Sequence, residues 1–175
     1  CGNFIPVDLN SLLYKYETDL AKFARILKLN HEAIHWDRMA LKRKTLMDKY
    51  LWNQQEGIYF DYNFVEKKQY RYYSLATFYP LWAQLASKQQ AKMVVTYLPF
   101  FLQRGGLATS TMNSGFQWDF PNGWAPLQWL TIEGLKNYHY HQQAAEIAKR
   151  WIHLCTLVFQ ARGKLYEKYN VVEMN

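Results

Sequence analysis

The sequence predicts an all-α protein, and three observations lead there. Apolar residues recur at three- and four-residue steps through most of the chain. Proline and glycine gather at a few places between those stretches. Half of the 175 residues are apolar, enough for the core of one domain over residues 1–175.

The elements follow in order. Leu9, Leu12, Leu13, Tyr16, Leu20, Phe23, Ile26 and Leu27 form the first helical stripe, with Asp8 after Pro6 as its N-cap. A second helix runs from about His31 to Leu51, capped by Asn30, with a weaker stripe through Ala33, Trp36, Ala40, Met47 and Tyr50. A third covers Tyr73 to Ala86 through Leu75, Phe78, Tyr79, Trp82 and Leu85. A fourth follows Ser87 with Ala91, Val94, Val95 and Leu98, and Pro99 should kink or end it because proline lacks a backbone donor.

A fifth helix starts at Ala125 and Pro126, where proline suits a first turn, and ends near Asn137. The sixth has the cleanest pattern: Ala144, Ile147, Ala148, Trp151, Ile152, Cys155, Val158 and Phe159. Short turns would fold the six into three antiparallel hairpins. Two connections are longer. WNQQEGIYFDYNF, between Trp52 and Tyr72, reads as a turn with room for a short β-hairpin, and Arg104 to Trp124 is polar and rich in glycine.

Several function classes are disfavoured. The net charge of +7 comes from scattered residues, and its densest group, Lys42, Arg43 and Lys44, reads as a solvated helix face rather than a nucleic-acid surface. Cys1 and Cys155 make no disulfide framework, and Cys155 sits on an apolar stripe as a small hydrophobe. No apolar run reaches membrane length and the N-terminus has no signal core, so the expectation is a soluble chain; cytoplasm and periplasm both stay open, since nothing in the sequence reads out the compartment.

HEAIH, residues 31–35, matches H-E-x-x-H, in which two histidines one turn apart hold zinc. Its position in an exposed first turn argues against that use, and Arg38 and Leu41 stand where the extended motif wants glycine and a third histidine. His139 and His141 fall in an inter-helix loop as surface residues. No metal site and no cofactor are expected.

The most informative stretch is Gln117-Trp118-Asp119-Phe120-Pro121-Asn122-Gly123-Trp124-Ala125-Pro126. A sugar offers hydroxyls around a ring with apolar C–H faces, so its site wants aromatic planes beside amides and carboxylates. Gln117, Trp118, Asp119, Asn122 and Trp124 supply those types. The same residues could instead brace a turn around Pro121 and Gly123.

This run resembles a signature of the trehalases, glycoside hydrolases that split α,α-trehalose into two glucoses. IPVDLNSL, YLWNQQEGIYFDYN and KLYEKYNV extend the resemblance in family order over essentially the whole chain. The resemblance implies an α/α toroid of six helical hairpins, of which three, about half, lie here. It implies trehalose or a related sugar as substrate, and hydrolysis by an inverting acid/base pair of carboxylates, with no cofactor. It places both catalytic carboxylates outside residues 1–175, along with the family's proline-glycine-glycine-arginine-phenylalanine signature. Asp8, Asp61, Asp119 and Glu133 therefore receive no catalytic role. An inactive sugar-binding or interaction module is the alternative, and self-association or pairing with a complementary fragment would cover the exposed half.

Overall fold

The computed structural model describes residues 2–175, so the expectation for Cys1 lies outside the described residues. The chain is mostly helical, with helical pairs; short strands occur between Trp52 and Tyr72, where the sequence left room for a β-hairpin, and also at the N-terminus and in the second unit, where it predicted none. It divides into two compact units, one up to Arg71 and one from Tyr72 to Asn175.

In the first unit, β1 (Phe4–Ile5) leads into α1 (Val7–Ile26) and α2 (Asn30–Tyr50), which form an antiparallel hairpin. Lys28 makes the tight turn in a left-handed conformation, φ 60°. Its N–H reaches the Arg25 carbonyl at 3.0 Å and the Leu29 N–H reaches Ala24 at 2.8 Å, a Schellman closure built without glycine. The predicted caps are corrected. Pro6 and Leu29 stand at the N-caps without side-chain bonds, Asp8 lies in the first turn, and Asn30 is already helical. A distant residue takes over: Asp61 Oδ1 accepts from the Val7 N–H at 2.8 Å. Burial, the dominant influence, raises the Asp61 pKa against that hydrogen bond.

The first helical stripe is also corrected. Leu9, Tyr16, Leu20, Phe23, Ile26 and Leu27 are exposed, while α1 buries Val7, Ser11, Glu17, Ala21 and Ala24. Small residues on both helices let the backbones approach, with Ala33 and Ala40 buried on α2. Two ion pairs join the helices, an exposed one between Arg25 and Asp37 and a more buried one between Arg43 and Glu17. Arg43 Nη2 and Nε donate to Glu17 at 2.7 and 2.9 Å, and Arg43 Nη1 donates to Asn10 Oδ1 at 2.9 Å.

The connection after α2 holds more than one hairpin. β2 (Trp52–Asn53) pairs with β3 (Ile58–Tyr59), and β4 (Asp61–Asn63) pairs with β1 and with β5 (Lys68–Tyr70). Asn53 Nδ2 donates to Gln69 Oε1 at 2.8 Å, and Gln69 Nε2 donates to the Tyr50 carbonyl at 3.0 Å, so two amides knit the hairpins to the end of α2.

In the second unit the predicted third helix is broken. Ser74 caps a 3-10 turn at Leu75–Phe78, and α3 (Tyr79–Trp82) carries Pro80 and lasts one turn before Gln84, φ 57°, ends it. Next, α4 (Lys88–Val95) starts with a capping box, Ser87 accepting from the Gln90 N–H and Gln90 from the Ser87 N–H. Pro99 acts as predicted: α4 stops at Val95, and α5 (Leu98–Phe101) takes the proline in its first turn. β6 (Leu102–Gln103) and β7 (Gly106–Leu107) form a small hairpin. β8 (Asn122–Trp124) leads into α6 (Ala125–Asn137), which packs on α3 and on α7 (His141–Arg162), and β9 (Lys168–Asn170) pairs with β8. His139, φ 67°, is the left-handed turn residue between α6 and α7, which explains its place in NYHYH.

Cys155 is half-buried beside Ala108, Leu154, Val158, Tyr169 and Val171, and burial pushes its thiol pKa up. No helix among the described residues is long and apolar enough to cross a membrane.

Candidate functional site

Residues 104–124 of the second unit carry the signature, and three devices shape them. The first is Gln128, buried on α6. Its Oε1 accepts from the Leu107 N–H at 2.8 Å and its Nε2 donates to the Leu107 carbonyl at 2.7 Å, so a side-chain amide pairs with β7 as a strand would. The second is close approach at Gly123, where an added Cβ would sit 2.5 Å from Val171 and 2.7 Å from the Leu107 carbonyl oxygen. Glycine is required there by space.

The third device is a carboxylate beneath the loop. Asp119 is 2% exposed, and its Oδ2 accepts from the Ser114 N–H at 2.7 Å and from the Ser114 hydroxyl. The Ser114 hydroxyl, outweighing the opposing effect of burial, holds the Asp119 carboxyl below the usual carboxylate range. Buried Ser110 adds a parallel tie, its hydroxyl accepting from the Phe120 N–H at 3.2 Å and donating to the Met112 carbonyl at 3.1 Å. The Phe120–Pro121 peptide between these anchors is cis.

On this frame Phe116, Gln117 and Trp118 are exposed, Trp118 at 39%. The Trp118 and Trp124 rings lie 5.1 Å apart, and Lys168 Nζ from β9 is 6.0 Å from the Trp118 ring centroid. Asn122 is half-buried in β8, its carbonyl accepting from the N–H and hydroxyl of Thr109 at 2.8 and 2.9 Å. The five signature residues are therefore brought to one strand and its preceding loop, in two tiers: Gln117, Trp118 and Trp124 present surface, while Asp119 faces inward. Sequence reasoning missed Ser110, Ser114, Gln128 and Lys168. Only Gln128 leaves a signal, as a polar residue within the apolar run Leu127 to Leu130.

Glu133 lies on α6 bonded to Lys136 at 2.7 Å. His31 and His35 are exposed on α2, and no group of three or more His, Cys, Asp or Glu side chains among the described residues could hold a metal ion.

Comparison with known proteins gives these features a setting. A model of the trehalase family matches residues 1–175. A cytosolic neutral trehalase from Beauveria bassiana is 39% identical over 98% of this chain and 27% of its own length. A periplasmic trehalase from Escherichia coli O1:K1 is also 39% identical, over 97% of this chain and 30% of its own. Among solved structures, neutral trehalase from Saccharomyces cerevisiae superposes with a TM-score of 0.90 at 40% identity, covering 98% of this chain and 35% of that one. A mannosylglycerate hydrolase from Thermus thermophilus, TM-score 0.82 at 20% identity, shares the fold. The chain thus spans 27 to 35% of the length of the trehalases it matches.

Proposed function

The chain belongs to the trehalase family, and on that premise we propose that it serves α,α-trehalose hydrolysis as about half of a six-hairpin α/α toroid. The observation that carries this reading is the exposed Gln117–Trp118 pair, held beside Trp124 over the buried Asp119.

A glucose unit turns an apolar C–H face to an indole plane and its hydroxyls to neighbouring amides. Trp118 and Trp124 supply the planes; Gln117 and Asn122 supply amides that both donate and accept. Asp119 works from beneath in this reading, fixing the loop through Ser114 so that the rings are oriented before the sugar arrives. Lys168 adds a positive charge beside the Trp118 face. The chemistry needs a carboxylic acid to protonate the departing oxygen and a carboxylate to activate water on the opposite face, with roughly 6.5–9.5 Å between them. Both belong outside residues 1–175 in this proposal, so the chain contributes binding and orientation.

Trp118→Ala and Gln117→Ala should each weaken trehalose binding by about tenfold, measured by titration calorimetry, with the thermal midpoint within a few degrees of the parent. Unchanged affinity with a lowered midpoint would make both residues braces and sink the assignment. Glucose release from trehalose by the purified chain would overturn the placement of the carboxylates. The exposed apolar stripe of α1 favours a second reading, an interaction module that self-associates or pairs with a complementary fragment. Light scattering across a dilution series tests it, since a monomer at every concentration is incompatible with self-association.

A further inference from the structure

A cavity in the second unit lies between the connector from α3 to α4 and the turn from α6 to α7. Gln84, Lys88, Lys92, Asn137, His139 and Tyr140 line it, and its volume of about 370 Å³ is that of a small-molecule site. Its two walls are stapled together. Asn137 Nδ2 donates to the Leu81 and Trp82 carbonyls at 3.3 and 3.0 Å, and the Tyr138 hydroxyl donates to the Ala86 carbonyl. Gln84 and His139 line the cavity from left-handed backbone, φ 57° and 67°, a region that residues other than glycine rarely enter.

The charge of this cavity is one-sided. Lys88 and Lys92 stand one turn apart on α4, where like charges repel, and Lys88 opens the helix, where the dipole disfavours a cation. Neither lysine makes an ion pair among the described residues. Residues 67–118 and 134–145, which hold both walls, contain no Asp or Glu. Even the α4 capping box uses Gln90 where a glutamate would serve as well. The helices α6 and α7 carry one carboxylate each, and both are taken, Glu133 by Lys136 and Glu146 by Arg150. A bound anion would relieve both unfavourable placements at once.

We propose that this cavity binds a sugar phosphate. The two ammonium groups meet the phosphate, a dianion that two point charges match. A bare phosphate would leave much of the cavity unfilled. The remaining lining groups are the Gln84 and Asn137 amides, the His139 ring and the Tyr140 phenol, which donate to and accept from hydroxyls. The site lies at the other end of the 13-residue α6 from Trp124, about 20 Å along the helix axis, so it stands apart from the sugar wall of residues 117–124.

The test is an NMR titration of the isotope-labelled chain with glucose 6-phosphate, glucose and inorganic phosphate, read at the backbone amides of Gln84, Lys88, Lys92 and His139. Glucose 6-phosphate should shift these amides saturably with a Kd below about 1 mM, and roughly tenfold or more tighter than glucose or inorganic phosphate. The double variant Lys88→Met, Lys92→Met should weaken it by roughly tenfold or more. Lys42→Met with Lys149→Met removes the same charge from exposed positions elsewhere and should leave the Kd within about twofold. The Trp118 indole N–H follows the signature loop, so sugar bound there is read apart from ligand bound here. Unmoved amides, equal weakening in both double variants, or glucose or inorganic phosphate binding as tightly as the ester would each overturn the site.

Discussion

The α1–α2 hairpin and the loop of residues 104–124 solve the same problem, holding backbone in a fixed place, by opposite means. The hairpin uses two long helices whose internal bonds are already made, so packing relies on small residues at the contact and on ion pairs between the helices, the more buried being Glu17 with Arg43. The loop has little regular structure, and its backbone groups are met one at a time by Ser110, Ser114 through Asp119, Thr109 and Gln128. Spread over several small contacts, the loop should lose less from removal of one member than the hairpin loses from removal of Arg43, which bonds both Glu17 and Asn10.

Three changes would sharpen or break that contrast. Arg43→Met should have the largest effect, since it leaves the Glu17 carboxylate buried without its guanidinium, and urea unfolding should show a loss of about 3 kcal/mol. Replacing both partners with Met should recover much of that loss, and a double variant as weak as the single would show that packing, not charge, is at stake. Gly123→Ala comes next, at about 1–3 kcal/mol, because the new methyl meets Val171 and the Leu107 carbonyl at distances that demand a shift. A silent Gly123→Ala would mean the loop is slacker than its contacts indicate.

The smallest effect is the acid response at Asp119. Its folded-state pKa lies below the unfolded value of about 3.9, so its contribution to stability is complete above that value and is lost as pH falls through the lower folded value. Asp119→Asn should flatten the acid limb of the stability profile, and identical acid limbs for parent and variant would remove Asp119 from the list of anchors.

The first, second, fifth and sixth helices were legible because their apolar period is long, and Pro99, Pro126 and Ser87 mark element ends, whereas the predicted third helix is a 3-10 turn and one α turn around Pro80. Which face is buried was not, because α1 buries Ala21 and Ala24 and exposes Leu20 and Phe23, a choice set by how closely two backbones approach. Helix ends were obscured because Lys28, Gln84 and His139 adopt the left-handed turn usually signalled by glycine. The strands were mostly hidden by brevity, two or three residues each, too short for an alternating pattern. At the site, the signature residues were legible as a run. Their division into surface and anchor was not, since Ser114 and Gln128 act through single bonds that no spacing rule announces.

The turns after Asn53, Asn63 and Asn170, in each of which the asparagine Oδ1 accepts from the N–H groups two and three residues on, also say something about time. Each copy makes its side-chain bonds within three residues, so nothing distant must arrive before it closes. Hairpins of this size form in about 1–10 μs, whereas Arg43 must find Glu17 across 26 residues. Closure of these turns thus requires no long-range contact, and the strand register around each is set by bonds local to it.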